Sequence, residues 1–260
     1  MSTRFFPAAL ILVLSLNAFR LSAQTGEHGY VNAPATSDIC ARVGAGVDWK
    51  ICRGLHATLD EECRFKNNLS SFDRANTELG LSYKICPWLK TGADYTFIYK
   101  PLDIRHRTGV SLTGHYKTGQ WNFSLRERVQ CTHLTREFNE YQKPRNSVCL
   151  KSRVKVSRAC FSKPLEPYIS CELRHVLNGS EYTNSLDPST MTYTDAYLNR
   201  IRASIGTEWR ISRNDYLDFY ALADFVKDKK LDARKNGELK TITFEPAFVM
   251  TFGIAYRFAL

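Results

Sequence analysis

A strict two-residue alternation limits what this chain can fold into more than any other feature. From Cys40 to Ile51, one face carries Ala41, Val43, Ala45, Val47, Trp49 and Ile51. The other carries Arg42, Gly44, Gly46, Asp48 and Lys50. This is the period of a β-strand with one apolar and one polar face. The pattern recurs to the end of the chain, where Phe248, Met250, Phe252, Ile254, Tyr256 and Phe258 oppose Thr251, Gly253 and Arg257. Eleven such segments are readable, and helical patterning is nearly absent. Each runs ~10–13 residues, long enough for a transmembrane strand (~9–11) and well beyond the globular average of ~5–6.

Periodicity alone does not say which face meets which solvent. A soluble barrel needs only ~8 strands and turns its large apolar residues inward. A membrane barrel turns them outward to lipid. Trp49, Tyr83, Tyr116, Trp121 and Trp209 stand on the apolar face beside short turns, and Tyr256 and Phe258 join them near the end of the last strand. Trp and Tyr prefer the membrane–water boundary, so these residues read as an aromatic girdle. Glycines lie beside charges on the polar faces, where they let a curved sheet bend and close. Turns are short around Arg53–Gly54, Cys86–Pro87, Thr118–Gly119 and Arg213–Asn214. Long polar segments cover Thr135–Asn146, Asn178–Asp195 and Lys227–Lys240.

The expected fold is therefore all-β: a closed, antiparallel, up-and-down transmembrane β-barrel with short periplasmic turns and longer extracellular loops. Eleven segments leave the first and last strands running the same way. An even count is reached if a short first strand near Gly29–Thr36 makes twelve, or if one segment is over-read and the count is ten.

Residues 1–23 read as a cleaved signal peptide: a basic start, an apolar run too short to span a bilayer as a helix, and small residues before a cleavage point after Ala23. Residues 24–39 form an N-terminal segment, and 40–260 the barrel. Loss of Arg4 and Arg20 leaves 34 basic against 26 acidic residues, a net charge of +8. A basic exported chain suits lipopolysaccharide phosphates, lipid headgroups or a small anionic solute. Nucleic acid is not expected, because the basic residues are spread over many strands. The eight cysteines form no C-x-x-C pair and no histidine stands at metal spacing, so neither a metal nor a cofactor is expected.

With polar faces inward, Asp60, Glu62, Glu78 and Asp94 come from early strands. Arg126, Arg128, Lys151, Arg153, Lys155, Glu172, Arg174, Arg200, Arg202, Glu208, Arg210 and Asp218 come from later ones. Two non-enzymatic readings follow: a small pore with a charged lumen, or a barrel filled by its own ion pairs and serving structure or binding. The alternative is a lipid-directed acyl hydrolase, since Ser152, His133 and His175 share the lipid face of three consecutive strands. Serine and histidine within hydrogen-bond reach form an acyl-transfer pair, but no G-x-S-x-G elbow is present.

The segments "ECRFKNNLSSFDRANTELGLSYKICPWLKTGADYTFI", "SLRERVQ", "NEYQKPRNSVCLKSRVKVS", "LEPYISCELRHVLN" and "NRIRASIGTEWRISRNDYLDFY" resemble the family called domain of unknown function 2490. The resemblance runs from about Ala41 to Phe258. It implies an outer-membrane β-barrel of a Gram-negative bacterium, inserted by the barrel-assembly machinery. It carries no established activity and no catalytic residues.

Overall fold

The computed structural model describes residues 30–136, 143–160, 164–178, 196–235 and 239–260. The expected signal peptide, half of the segment Thr135–Asn146 and nearly all of Asn178–Asp195 lie outside them. Among the described residues every regular element is a strand. The wall is made of eleven: β2 (Thr36–Cys52), β3 (Leu55–Lys66), β4 (Ser71–Cys86), β5 (Leu89–Lys100), β6 (Asp103–Thr118), β7 (Trp121–Leu134), β8 (Asn146–Arg158), β9 (Leu165–Val176), β10 (Tyr197–Arg210), β11 (Asp215–Ala233) and β12 (Leu239–Ala259). A three-residue strand, β1 (Tyr30–Asn32), precedes them.

Consecutive wall strands pair antiparallel, and β12 then returns to β2 by a parallel ladder from Ala247↔Thr36 to Ala259↔Asp48. This corrects the expectation of an even, wholly antiparallel wall of twelve. Eleven alternating segments bring the first and last strands together pointing the same way, and a parallel ladder satisfies both edges without another strand. Nor is β1 a twelfth wall strand. It pairs with β12 on the same side as β2, at Tyr30↔Ile242 to Asn32↔Phe244, with the register changed by one residue. β1 and β2 are thus one line of chain broken at 33–35, where Pro34 has no N–H to give a ladder.

The segment Lys227–Lys240, expected as a long polar loop, is mostly strand. β11 and β12 remain paired up to Ala233↔Leu239. Leu231 and Ile242 face each other there, both buried, with Phe244 packed against them. This apolar cross-strand contact adds to the ladder in a stretch otherwise rich in charge.

At the short-turn rim, Gly54 and Gly119 take left-handed backbone (φ +88° and +56°), which glycine adopts without steric cost. At the opposite rim three residues without that freedom do the same: Asn67, Asn68 and Leu69, at φ 55°, 53° and 69°. Their turn is held by Asp38, whose carboxylate accepts from the N–H groups of Asn67 (3.0 Å) and Asn68 (2.9 Å).

The wall is inverted relative to a water-soluble barrel. Val110, Ile205, Leu81 and Phe252 point outward and are 62%, 63%, 54% and 53% exposed, whereas Thr96, Gln130, Glu172, Asp224 and Thr251 point inward and are buried. Carboxylates interrupt the outer face. Glu61 accepts from the Thr77 hydroxyl at 2.5 Å and Glu127 from the Ser152 hydroxyl at 2.6 Å, each across one strand pair.

Candidate functional site

Alternation places every second side chain of each wall strand in the lumen, so the charges there are set by strand register. They surround a cavity of about 870 Å³. Its lining includes Asp60, Glu62, Glu78, Arg126, Arg128, Arg153, Glu172, Arg202, Glu208 and Asp218, which the sequence assigns to the lumen. Asp94 and Lys155 join them through ion pairs.

The carboxylates of the lumen are engaged. Glu62 takes Arg64 Nε at 2.5 Å, Arg42 at 3.9 Å and the Asn76 amide at 3.0 Å. Asp60 meets Arg257 at 2.6 Å. Arg128 reaches from β7 to Asp94 on β5 and to Glu78 on β4 (3.4 Å), and Glu78 also accepts from Thr96 at 3.1 Å. Glu172 lies between Arg126 (3.3 Å) and Arg202 (3.9 Å). Arg202 grips Asp224 with two parallel bonds, Nε to Oδ1 at 2.7 Å and Nη2 to Oδ2 at 2.8 Å, the geometry in which guanidinium binds carboxylate most specifically. Lys155 bonds Glu208 at 2.5 Å and lies 3.9 Å from the centre of the Tyr168 ring; the Tyr168 hydroxyl donates to Asp218 at 3.0 Å.

Cations remain over. Among the described residues, no carboxylate lies within ion-pair distance of Arg107, Lys151, Arg153, Arg174 or Arg200. Arg107, Lys151 and Arg153 line the cavity directly. Arg107 donates to the Thr132 hydroxyl at 3.3 Å, which leaves its charge uncompensated. Arg210 stands at the short-turn rim with its guanidinium 5.3 Å from the centre of the Tyr216 ring.

The serine and the two histidines of the acyl-hydrolase alternative lie on the outer face of β7, β8 and β9. The Ser152 hydroxyl donates to Glu127. His133 Nδ1 lies 2.8 Å from Asn146 Oδ1, and the pairing of Glu127 with Ser152 and of His133 with Asn146 sets the serine six ladder steps from that histidine, ~20 Å along the strand. His175 is opposite Leu150, one outward position from Ser152. Of the girdle aromatics, Trp49, Tyr83, Tyr116, Trp121, Trp209 and Tyr256 are exposed on the outer face, and Phe258 is half-buried there.

Arg42, Arg64, Arg107, Tyr168, Tyr220, Asp224 and Arg257 also belong to this site, and sequence reasoning did not single them out. Their signal was plain parity, since each falls on the polar face of its strand. Glu127 was missed on the opposite face by the same count.

No protein of curated function matches the sequence. A solved structure of the NanC porin is similar over 73% of this chain and 87% of that chain, at 12% identity and a TM-score of 0.44. The family described as "Protein of unknown function (DUF2490)" matches residues 42–235, three-quarters of the sequence, and the chain belongs to that family.

Proposed function

We propose that this protein is an outer-membrane barrel of a Gram-negative bacterium, exported through a cleaved signal peptide, whose lumen admits small anions. The observation that carries the reading is that Arg107, Lys151 and Arg153 line a cavity of about 870 Å³ with no carboxylate of the described residues within ion-pair distance, while the carboxylates of that cavity are bonded to other side chains. A confined positive field concentrates anions and repels cations. Membrane residence is supported by the inverted wall, since a ring of exposed Val, Leu, Ile and Phe is costly in water and stabilising in hydrocarbon. Outer-membrane lipid and lipopolysaccharide are then the wall's neighbours, and insertion calls on the barrel-assembly machinery.

The reach of Arg128 to β4 and β5 favours a second reading, a barrel closed by its own ion pairs. Planar-bilayer recording of the refolded protein separates the two. Steady openings with a reversal potential favouring anions support the first, and Arg107→Glu with Arg153→Glu should then move the preference toward cations. Silence at high protein load supports the filled barrel. A cation-preferring parent overturns the anion reading.

A further inference from the structure

A second cavity, of about 350 Å³, lies at the loop-side mouth and plays no part in the site above. It is bounded by the upper ends of β3 to β7 and contains five cations: Lys66, Lys100, Arg105, Arg136 and Lys143. Two carboxylates share the space, and both are taken. Asp103 accepts from Arg105 Nε at 2.5 Å. Asp73 lies 3.5 Å from Lys66 and 3.4 Å from Arg74. Among the described residues Lys100 and Arg136 meet no carboxylate. Arg136 donates to the Leu102 carbonyl at 3.4 Å. The rest of the lining includes the apolar surfaces of Phe72, Pro101 and Leu134.

Parity puts Lys66, Lys100 and Arg105 of this pocket on the inner side of the wall. Lys66 and Arg105 each stand two residues beyond Arg64 and Arg107, which line the lumenal cavity, a step of ~6.6 Å along a strand. A bilayer lipid approaches the opposite face, whereas a solute entering from the loop side meets this pocket first.

We propose that the mouth pocket binds a small organic anion that has an apolar part, with the carboxylate or phosphate on Lys100 and Arg136 and the apolar part against Phe72, Pro101 and Leu134. An inorganic anion engages only the charged half, and an uncharged apolar solute only the other. The pocket's place as the first station of an anion path rests on the lumenal reading; its binding chemistry does not.

The test is calorimetric titration of the refolded barrel in detergent micelles with phenyl phosphate, inorganic phosphate and phenol. Phenyl phosphate should bind about tenfold or more tightly than either fragment, and Lys100→Met with Arg136→Gln should weaken it about tenfold or more, as expected for loss of charge-assisted bonds. The charge-preserving pair Lys100→Arg with Arg136→Lys should keep the parent affinity, which separates lost charge from lost folding. Lys230→Met, on the exposed β11–β12 ribbon, should bind as the parent does. Absence of phenyl phosphate binding, unchanged affinity in the Met/Gln variant, or an equal loss in Lys230→Met overturns the proposal. The lumenal reading is scored apart, by reversal potential: a parent without anion preference that still binds phenyl phosphate retains the pocket and loses the path.

Discussion

Tyr168 and Tyr220 occupy space that neighbouring strands leave open by using glycine. A Cβ at Gly206 would stand 2.6 Å from the Tyr168 ring and 2.7 Å from the Phe219 carbonyl oxygen, and a Cβ at Gly253 would collide with Tyr220. The Tyr168 ring is not free to yield, because its hydroxyl is bonded to Asp218 and Lys155 lies over its face. Gly206→Ala should therefore destabilise the barrel by about 1–3 kcal/mol, the usual range for overpacking, read as a lower urea midpoint in micelles. An unchanged midpoint would mean that the ring moves aside. The glycines were visible in the sequence as polar-face residues suited to a curved sheet. That a particular tyrosine fills the gap at each was not, because the partner lies on another strand.

Among the elements, the β2–β12 seam departs most from expectation. Its register places Cys40 opposite Thr251, and neighbouring strands lie ~4.8 Å apart, within reach of a disulfide. In a chain whose other seven cysteines are replaced by serine, Thr251→Cys should therefore crosslink to Cys40 on mild oxidation, giving a faster-migrating band on a denaturing gel. Crosslinking only between molecules would indicate that another strand separates the two. The eleven segments and their common direction at the two ends were legible from alternation and turn spacing. The parallel closure was not, since no local residue pattern reports which edge a terminal strand will meet. The β11–β12 ribbon was hidden for a related reason: Leu231 and Ile242 are isolated apolar residues in a charged stretch until the hairpin sets them opposite each other.

For the whole molecule, the decisive property is the direction in which polarity runs through the wall. Val110, near the middle of β6, is 62% exposed and points outward. If hydrocarbon surrounds it, Val110→Arg should cost about 2–4 kcal/mol of folding stability in vesicles, the midplane value for a basic residue on a barrel's lipid face. A near-neutral effect would mean that the wall faces water. The same inversion concentrates charge inside, where pairing decides between conduction and closure, so the selectivity measurement also belongs to this scale. Most lumenal residues were predictable one strand at a time, as Asp60, Glu78 and Arg153 illustrate. Their partners were not, because Arg128 finds Glu78 across strands far apart in the chain.

By itself the sequence determined which side chains share a face and where the tight turns fall, because alternation and turn chemistry act over a few neighbouring residues. Only the tertiary structure decided that the wall closes in parallel, which cations keep a carboxylate and which are left over, and that a second basic pocket sits at the mouth. These depend on curvature and on stagger between strands, and both are properties of the closed sheet as a whole.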